Sequence, residues 1–352
     1  QKQVSLCYKK LSMSKKNSSV TLKNKFENYK ELSLLYYPFK EKINSLKKKI
    51  FLVAVSGGPD SLALTALANF YSYEKKSKVY YVLVDHNLRK NSSKEAASVK
   101  KLLKGHKITL HVLKNKKKII KNFQSEARKI RYDLITKFCK KKKIPIVLTA
   151  HNFEDQVETF FIRLSRGSGL HGLSSMKQVN KISHNLHLVR PLLEYKKFQL
   201  IKISKAIFGK FFEDPTNKDS KYLRTRIRKL KKNLEKSGIN YDRIFQSIKN
   251  LASSRDTLDT YFQKIYEGIA IKKRKEFLIK FKKLKSLNTE MKMRVFKKTI
   301  KDFTNSYYSP RSKKILQLIN QIESKKDAKL TLGGCVIFRQ KNHIILKKEI
   351  KK

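Results

Sequence analysis

The sequence predicts an α/β protein: a doubly wound parallel sheet followed by a smaller helical domain and a terminal β-hairpin. Three observations support this. Strand-like and helix-like runs alternate from Ile50 onward, apolar residues recur at helical spacing from about Tyr241, and two short apolar runs flank a turn near the end of the chain. Alternation of single strands with helices is typical of a parallel sheet that is covered on both faces.

The alternating region contains five runs of strand length with four runs of helix length among them. The predicted strands are residues 50–55, 79–84, 108–113, 144–150 and 186–189. The predicted helices are residues 62–73, 94–104, 122–142 and 154–164. The first strand is an unbroken apolar run, as expected of a strand buried on both faces. Ligands of such sheets bind beyond the carboxyl ends of the strands.

The charge of the chain indicates a polyanionic partner. Lysine and arginine number 84 against 27 acidic residues, which gives a formal net charge of +57. Coding bias is an alternative source of the many lysines. It does not explain why eight arginines fall between Arg128 and Arg228. The planar guanidinium fork of arginine binds phosphate or carboxylate with two hydrogen bonds.

The cysteines and the apolar runs predict a cytoplasmic protein. Cys7, Cys139 and Cys335 form no Cys-x-x-Cys pair, metal spacing or disulfide framework, which fits a reducing compartment. No apolar run of the sequence reaches the length of a membrane span. The start at Gln1 has no signal-peptide layout, and Met13 is a candidate true start.

The most informative motif is Ser56-Gly57-Gly58-Pro59-Asp60-Ser61, which joins the first predicted strand to the first predicted helix. Its glycines allow a tight turn whose N–H groups point into one concavity, and the positive end of the helix dipole faces the same place. Such a turn suits a phosphate chain, although it lacks the Gly-Lys-Ser/Thr ending of a Walker loop. An ordinary strand–helix turn is the alternative.

Two further motifs are expected near this turn. Asp85 and Arg89 end the second predicted strand, where they would flank the phosphate turn; a helix-capping Asp85 is the alternative. Arg128 and Arg131 lie three residues apart on a predicted helix and so share a face, which could meet ATP phosphates or RNA. Solvated surface arginines are the alternative there.

Paired carboxylates follow the fourth predicted strand. Asp155 and Glu158 lie three apart at the start of a helix, so both face one way. Such a pair suits a cation, either Mg²⁺ or an amine, although acidic residues are also common in the first turn of a helix. A basic, glycine-rich loop containing Arg166 closes this helix and could lie over a substrate.

A last basic segment follows the sheet region. The acidic stretch Glu213-Asp214-Pro215-Thr216-Asn217 precedes a helix with Tyr222 and three arginines at alternate positions, Arg224, Arg226 and Arg228. These residues predict a strip that contacts the RNA backbone.

Taken in order, these segments resemble the tRNA(Ile)-lysidine synthetase family of the ATP pyrophosphatase (PP-loop) superfamily. The resemblance covers Ile50 to about Arg228. Its motifs are Ser-Gly-Gly-x-Asp-Ser, Asp-His-x-Leu-Arg, Ala-Arg-x-x-Arg-Tyr, His-x-x-x-Asp-x-x-Glu-Thr, Arg-Gly-Ser-Gly-Leu-x-Gly-Leu, Arg-Pro-Leu-Leu and Glu-Asp-Pro-x-Asn. Two positions depart from the family pattern: Asn87 replaces a glycine and Asn152 replaces a histidine.

The resemblance implies an adenine nucleotide α-hydrolase-like fold and an enzyme that uses ATP and Mg²⁺. It would join free L-lysine to the first anticodon cytidine of the CAU-anticodon isoleucine tRNA through an adenylated cytidine, releasing AMP and pyrophosphate. From the lengths of the apolar runs we expect no membrane partner. The oligomeric state stays open, with a homodimer as one alternative.

The resemblance also implies roles for individual residues. Asp60, Asp155 and Glu158 would be catalytic, with Asp155 and Glu158 holding the lysine and Asp60 a candidate ligand of Mg²⁺. The ATP-binding residues would be Ser56, Gly57, Gly58, Pro59, Asp60, Ser61, Asp85 and Arg128. The tRNA-binding residues would be Arg131, Arg166, Arg224, Arg226 and Arg228.

Four segments are expected along the chain. Residues 1–45 form an N-terminal tail and lead-in helix, 46–235 the PP-loop catalytic domain, 236–325 a helical tRNA-contacting domain, and 326–352 the terminal hairpin. We expect no counterpart of the further carboxy-terminal domain of longer family members. The alternatives are another PP-loop enzyme, acting on tRNA or on a small molecule, and a non-catalytic RNA-binding relative.

Overall fold

The computed structural model describes residues 30–87, 92–115, 123–183, 185–213, 221, 223–304, 310–324 and 329–349. Arg89, residues 214–217 and Tyr222, which the sequence motifs include, lie outside this range, as does Cys7. The chain divides into two compact units, Gln1–Asn250 and Leu251–Lys352.

The N-terminal unit contains a six-stranded sheet and its covering helices. Its elements are α1 (Lys30–Asn44), β1 (Ile50–Val55), α2 (Pro59–Lys75), β2 (Lys78–Asp85), α3 (Ser92–Gly105), β3 (Leu110–Lys114), α4 (Phe123–Lys142), β4 (Ile146–Leu148), α5 (Phe153–Leu164), α6 (Leu170–Leu173), β5 (Val179–Ser183), β6 (Leu186–Val189), α7 (Lys197–Phe208) and α8 (Leu223–Lys236). Helix α9 (Tyr241–Ile269) contributes residues to both units.

The strand order β3-β2-β1-β4-β6-β5 confirms the predicted doubly wound parallel sheet. Strands β1, β2, β3, β4 and β6 pair in parallel, in a register that aligns Val53 of β1 with Tyr81 of β2 and Leu148 of β4. The chain leaves β1 toward β2 and β3, then returns to place β4 on the other side of β1. The carboxyl ends of β1 and β4 therefore form the topological switch point, where ligands of such sheets bind.

Both faces of this sheet are covered, which explains the continuous apolar character of β1. Phe51 and Val53 pack into a core with helices α1, α2, α3 and α7, whereas Leu52 packs on the opposite face with Ile135 and Cys139 of α4. Side chains alternate between faces along a strand, so two covered faces require apolar residues at every position.

One strand of the sheet was not predicted. β5 pairs antiparallel with β6 at the sheet edge, and its residues alternate between exposed and half-buried positions. Because only part of an edge strand is buried, its sequence, Val-Asn-Lys-Ile-Ser, lacks the apolar run that marks the central strands.

The C-terminal unit contains an antiparallel sheet and its covering helices. Its elements are β7 (Ala270–Lys272), β8 (Glu276–Lys280), α10 (Phe281–Lys285), α11 (Thr289–Thr304), α12 (Ser312–Ser324), β9 (Lys329–Leu332), β10 (Cys335–Gln340) and β11 (His343–Lys348). Five strands in the order β7-β8-β11-β10-β9 form the sheet, and α11 and α12 supply Phe296 and Ile315 to its core. Strands β9, β10 and β11 lie within the predicted terminal hairpin, residues 326–352. Strands β7 and β8, which sequence periodicity assigned to a helical region, extend the same sheet. These strands are short, and the helices before and after them dominate the local periodicity.

Candidate active site at the switch point of the sheet

The Ser56–Ser61 loop follows β1 and the acidic helix α5 follows β4, so the topology brings both motifs to the switch point. Neighbouring parallel strands end at one edge of the sheet, which places these motifs side by side. The carboxylate of Asp155 on α5 contributes to the raised pKa of Asp60 in the loop, as expected of neighbouring like charges.

Gly57 is required by the geometry of the loop. Its φ is +87°, in the left-handed region that favours glycine. A Cβ at this position would lie 2.6 Å from Cγ2 of the buried Val99 on α3. The Gly57 carbonyl also accepts a hydrogen bond from the backbone N–H of Phe212 at 3.0 Å. The loop therefore packs too closely against its neighbours to hold a side chain here.

The two serines of the loop hold its shape from inside. Ser61 Oγ donates to the carbonyl of Gly58 at 3.0 Å and accepts from the backbone N–H of Ser56 at 3.1 Å. Gly58 is the N-cap of α2 and Pro59 its first residue, a position where a missing N–H costs nothing. Backbone N–H groups in the first turn of an α-helix lack partners within the helix and point toward its start, which is the arrangement that a phosphate site uses.

Asp60 stands in the first turn of α2 with an incomplete set of partners. Among the described residues, its buried Oδ1 has no hydrogen-bond partner, and Oδ2 lies 4.0 Å from Nζ of Lys197. Burial raises the pKa of Asp60 to about 6; Lys197 opposes the rise and the carboxylate of Asp155 adds to it.

Asn152 and Asp155 form a capping box at the start of α5. Asn152 Oδ1 accepts from the backbone N–H of Asp155 at 2.9 Å, and Asp155 Oδ2 accepts from the backbone N–H of Asn152 at 3.1 Å. The departure of Asn152 from the family histidine thus supplies an N-cap, a role that asparagine fills well. The remaining oxygen of Asp155, Oδ1, faces the guanidinium groups of Arg224 and Arg228 at 3.6 and 3.9 Å.

Glu158 is the most deeply buried carboxylate of the site, with 3% of its side chain exposed. Arg224 Nε donates to Oε2 at 2.7 Å, while Arg228 Nε donates to Oε1 at 2.5 Å and its Nη2 to Oε2 at 3.1 Å. Arg224 also donates from Nη2 to the Thr159 hydroxyl at 3.4 Å. The guanidinium groups of Arg224 and Arg228 therefore balance the acidic pair Asp155 and Glu158.

The three arginines of α8 do not form a single strip. Positions four apart share a helix face, so Arg224 and Arg228 meet α5 together, whereas Arg226 lies between them in sequence and is exposed. Alternate positions would share a face only in a strand.

Asp85 is buried at the end of β2 and its oxygens are engaged. Oδ1 accepts from the backbone N–H of Asn87 at 2.9 Å, and Oδ2 accepts from the Ser93 hydroxyl at 2.8 Å. Burial alone would raise the pKa of Asp85, but these hydrogen bonds lower it below its usual range. Asn87 has φ +52°, which explains why glycine or asparagine suits this position. A direct contact of Asp85 with ATP stays a prediction.

Helix α4 brings Arg131 to the end of β2. Its Nε and Nη2 lie 3.4 and 3.3 Å from Nε2 of His86. Burial and the neighbouring charge of Arg131 together lower the pKa of His86 to about 4, so the imidazole is neutral at pH 7. Arg128 is exposed and stacks on Tyr132, with 5.1 Å between its guanidinium carbon and the ring centre.

The glycine-rich loop after α5 is anchored by an arginine at its base. Arg163 Nη1 donates to the carbonyls of Gly172 and Ser175 at 2.7 and 2.8 Å. Gly167 has φ +63°, and the side chain of Arg166 beside it is exposed. Arg166 is thus accessible to a large ligand.

Two residues of the site were not selected from the sequence. His151 follows β4, and burial lowers its pKa to about 4 despite the nearby Asp155, so it is neutral at pH 7. The signal was present, because His151 opens the His-x-x-x-Asp-x-x-Glu-Thr motif. Lys197 begins α7, and nothing in its sequence context marks it among the many lysines.

The residues of the site fit a magnesium ion that is bound together with the phosphates of a nucleotide. Among the residues that the structure describes, no three His, Cys, Asp or Glu side chains form a metal-binding group. Asp60 offers one buried carboxylate oxygen without a partner. Mg²⁺ is often held by one or two carboxylates together with substrate phosphates.

Across the described ranges, no helix is long and apolar enough to span a membrane.

Comparison with known proteins places this site in a family. The PP-loop domain family matches residues 33–234. The tRNA(Ile)-lysidine synthase of Rickettsia bellii (strain OSU 85-389) is 32% identical over 326 residues, which cover 91% of this chain and 75% of that protein. The chain belongs to the tRNA(Ile)-lysidine synthase family. The synthase of Wolbachia pipientis wMel is likewise 32% identical over 302 residues, 84% of this chain and 70% of that protein.

A solved structure extends the comparison to the fold. The chain is similar to the U34-tRNA thiolase NcsA from Methanococcus maripaludis, solved with its 4Fe-4S cluster, with a TM-score of 0.54 and 17% identity over 63% of this chain and 80% of that chain. At this identity the likeness shows the fold alone, and it agrees with the PP-loop architecture expected of a tRNA(Ile)-lysidine synthase.

Proposed function

We propose that this protein joins L-lysine to the first anticodon cytidine of a CAU-anticodon isoleucine tRNA at the expense of ATP. The main support for the proposal is that the phosphate loop after β1 and the paired carboxylates after β4 lie at the same edge of the sheet. A phosphate site beside a pair of acids suits a reaction that first activates an oxygen with AMP and then brings in an amine.

In the first step, the C2 oxygen of the cytosine attacks the α-phosphorus of ATP, and pyrophosphate leaves. N–H groups of the Ser56–Ser61 loop would hold the leaving pyrophosphate, since the loop leads into the start of α2. Mg²⁺ bound with ATP would be held by Asp60 and would screen the phosphate charge. The cytidine must leave its stack to reach the site, at a cost of a few kcal/mol.

In the second step, the side-chain amine of lysine attacks C2, and the C2–O bond to AMP breaks. Asp155 is well placed to receive this amine, because its Oδ1 lies 3.6 Å or more from its partners among the residues that the structure describes. Glu158 is saturated by Arg224 and Arg228, so its role would be to fix the position of these arginines beside Asp155. A neutral His151 next to Asp155 could accept a proton during the transfer.

The exposed arginines supply candidate contacts to tRNA. Arg128, Arg166 and Arg226 all present guanidinium groups to solvent, and the charge of +57 favours association with a polyanion. Contacts of this kind position a nucleic acid rather than specify its sequence. Arg131 is partnered by His86, so its contribution would be to order the neighbouring strand end.

The described cysteines argue against a thiolation reaction. Burial raises the pKa of Cys139 to about 12 and that of Cys335 to about 11. A thiol is a nucleophile or a metal ligand only when it is deprotonated. Both therefore act as small apolar residues of the two cores.

The decisive test is incubation of the purified chain with Mg-ATP, labelled lysine and either the CAU-anticodon isoleucine tRNA or the CAU-anticodon methionine tRNA. We expect label in the isoleucine tRNA and pyrophosphate release that depends on it. Asp60→Ala should stop formation of AMP, and Asp155→Asn should spare adenylation more than lysine transfer. Label in neither tRNA, with no pyrophosphate released, would contradict the proposal.

A further inference from the structure

The phosphate loop after β1 has no lysine of its own. In a Walker loop a lysine contacts the phosphates, whereas Ser56–Ser61 offers N–H groups, two hydroxyls and the carboxylate of Asp60. A triphosphate brings several negative charges to this loop, and Asp60 adds another. Mg²⁺ can screen only part of that charge. A compensating cation from elsewhere in the fold would strengthen binding.

We propose that the ammonium group of Lys197 binds the phosphate chain of ATP at this loop, an inference that rests on the proposed function. Lys197 is the first residue of α7, and its Nζ lies 4.0 Å from Oδ2 of Asp60. Asp60 follows Gly58 by two residues, so the ammonium stands at the start of α2, where the phosphates would lie.

The start of α7 is fixed, so this ammonium projects from a defined point. The backbone N–H of Lys197 donates to Oε2 of Glu154 on α5 at 2.9 Å. The backbone N–H of Lys196 donates to Oε1 of Gln199 at 2.9 Å within the first turn of α7. Helix α7 is thereby tied to the helix that carries the acidic pair, beside the loop.

The geometry of the contact favours a ligand-binding role over a structural one. At 4.0 Å, the pair with Asp60 lies at the outer limit of an ion pair, and 41% of the Lys197 side chain is exposed. Pairs of this kind contribute little to stability. The ammonium also keeps N–H donors that can turn toward a phosphate oxygen, and lysine serves as a point charge for phosphate.

The test compares Lys197→Met and Lys197→Arg with Lys205→Met, which removes an exposed lysine from the same helix. Eight residues separate the two positions, about 12 Å along a helix at about 1.5 Å per residue. The measurements are the Kd for Mg-ATP without tRNA, the KM values for ATP and lysine, and the thermal unfolding midpoint. Should Lys197→Met fold poorly, Lys197→Gln provides the same comparison.

Lys197→Met should raise the Kd and KM for ATP about ten- to a hundredfold, because it removes a charged hydrogen-bond donor to phosphate. The KM for lysine and the unfolding midpoint should stay unchanged, Lys197→Arg should recover most of the affinity, and Lys205→Met should match the wild type. An ATP Kd of Lys197→Met within twofold of the wild type would overturn this inference. Failure of the wild type to modify tRNA would instead overturn the proposed function, since ATP affinity is measured without tRNA.

Discussion

Arg228 donates a hydrogen bond from Nε to Oε1 of Glu158 over 2.5 Å, across a separation of 70 residues in the chain. A second bond from Nη2 to Oε2 makes the contact two-pronged, the geometry in which arginine binds carboxylate most strongly. The contact joins α8 to α5 and places a positive charge beside Asp155. The positive charge beside the proposed lysine site therefore depends on the position of α8 against α5.

We expect Glu158→Gln to lower the free energy of unfolding by about 1 to 3 kcal/mol. The substitution removes the negative charge that Arg224 and Arg228 share and replaces one acceptor oxygen with an N–H₂ donor facing a guanidinium group, while keeping the volume of the side chain. The loss stays moderate because the side chains of Arg224 and Arg228 are 40% and 33% exposed, so their guanidinium groups can turn to water. Urea unfolding of the full chain measures the change.

Glu235→Gln is the matched control for this substitution. Glu235 lies on α8 and pairs with Lys231 at 3.8 Å, with both side chains largely exposed. Exposed pairs of this kind contribute about 0.5 kcal/mol or less. Equal stabilities of the two variants would show that the Glu158 contact does not hold the helices together.

Gly57→Ala should destabilise the chain by about 2 to 4 kcal/mol. A non-glycine residue at φ +87° costs about 1 to 2 kcal/mol, and the new Cβ would lie 2.6 Å from buried Val99. Gly58→Ala is the control, because a Cβ there meets nothing closer than 3.7 Å and the backbone is extended. Thermal unfolding of the two variants gives the comparison.

A double variant separates the steric clash with Val99 from the backbone strain at position 57. Val99→Ala removes the Cγ2 atom that a Cβ at position 57 would meet, so it should relieve the clash but not the backbone strain. The double variant should then lose less stability than the sum of the two single variants. Strict additivity would contradict the proposed contact.

The core of the site could be predicted from the sequence because its signals are local. The Ser56–Ser61 motif requires only a strand, two glycines and a helix start, all within a dozen residues. The acidic pair follows the same logic, since Asp155 and Glu158 share a face in any helix. Parallel strands then bring both segments to one edge of the sheet, whatever the intervening sequence.

The remaining residues depend on tertiary contacts that no local pattern encodes. Lys197 reaches Asp60 across more than a hundred residues, and it is one lysine among many. Arg224 and Arg226 have the same residue type and nearly the same sequence context, yet the first meets Glu158 and the second meets solvent. Only the position of α8 against α5 distinguishes them.

The raised pKa of Asp60 predicts a pH-dependent stability. Burial raises it from 3.8 to about 6, so the folded chain binds this proton more tightly than the unfolded chain does. Ionisation of Asp60 therefore opposes folding, and the penalty grows as the pH rises from about 4 to about 6 and is constant above that. Asp60→Asn removes the penalty.

We compare the gain in the free energy of unfolding of Asp60→Asn over the wild type at two pH values. This gain should be about 1 to 2 kcal/mol larger at pH 7.5 than at pH 4.5. Asp242→Asn is the control, since Asp242 is exposed and pairs with Lys196 at the surface. Urea titrations at the two pH values give the comparison. A stability gain from Asp60→Asn that is the same at both pH values would contradict the burial of an ionised Asp60.

Arg226 and Arg228 should differ in their effect on tRNA binding. A protein that contacts six to ten phosphates loses about a thousand- to a hundred-thousand-fold in affinity between 50 and 200 mM salt. Arg226 is exposed, so Arg226→Met should reduce the slope of log affinity against log salt by about 1. Arg228 is held by Glu158, so Arg228→Met should leave the slope unchanged while weakening lysine transfer. A reduced slope for Arg228→Met with an unchanged slope for Arg226→Met would mean that tRNA draws Arg228 away from Glu158. A slope near zero for the wild type would mean that the net charge of +57 does not contribute to tRNA binding.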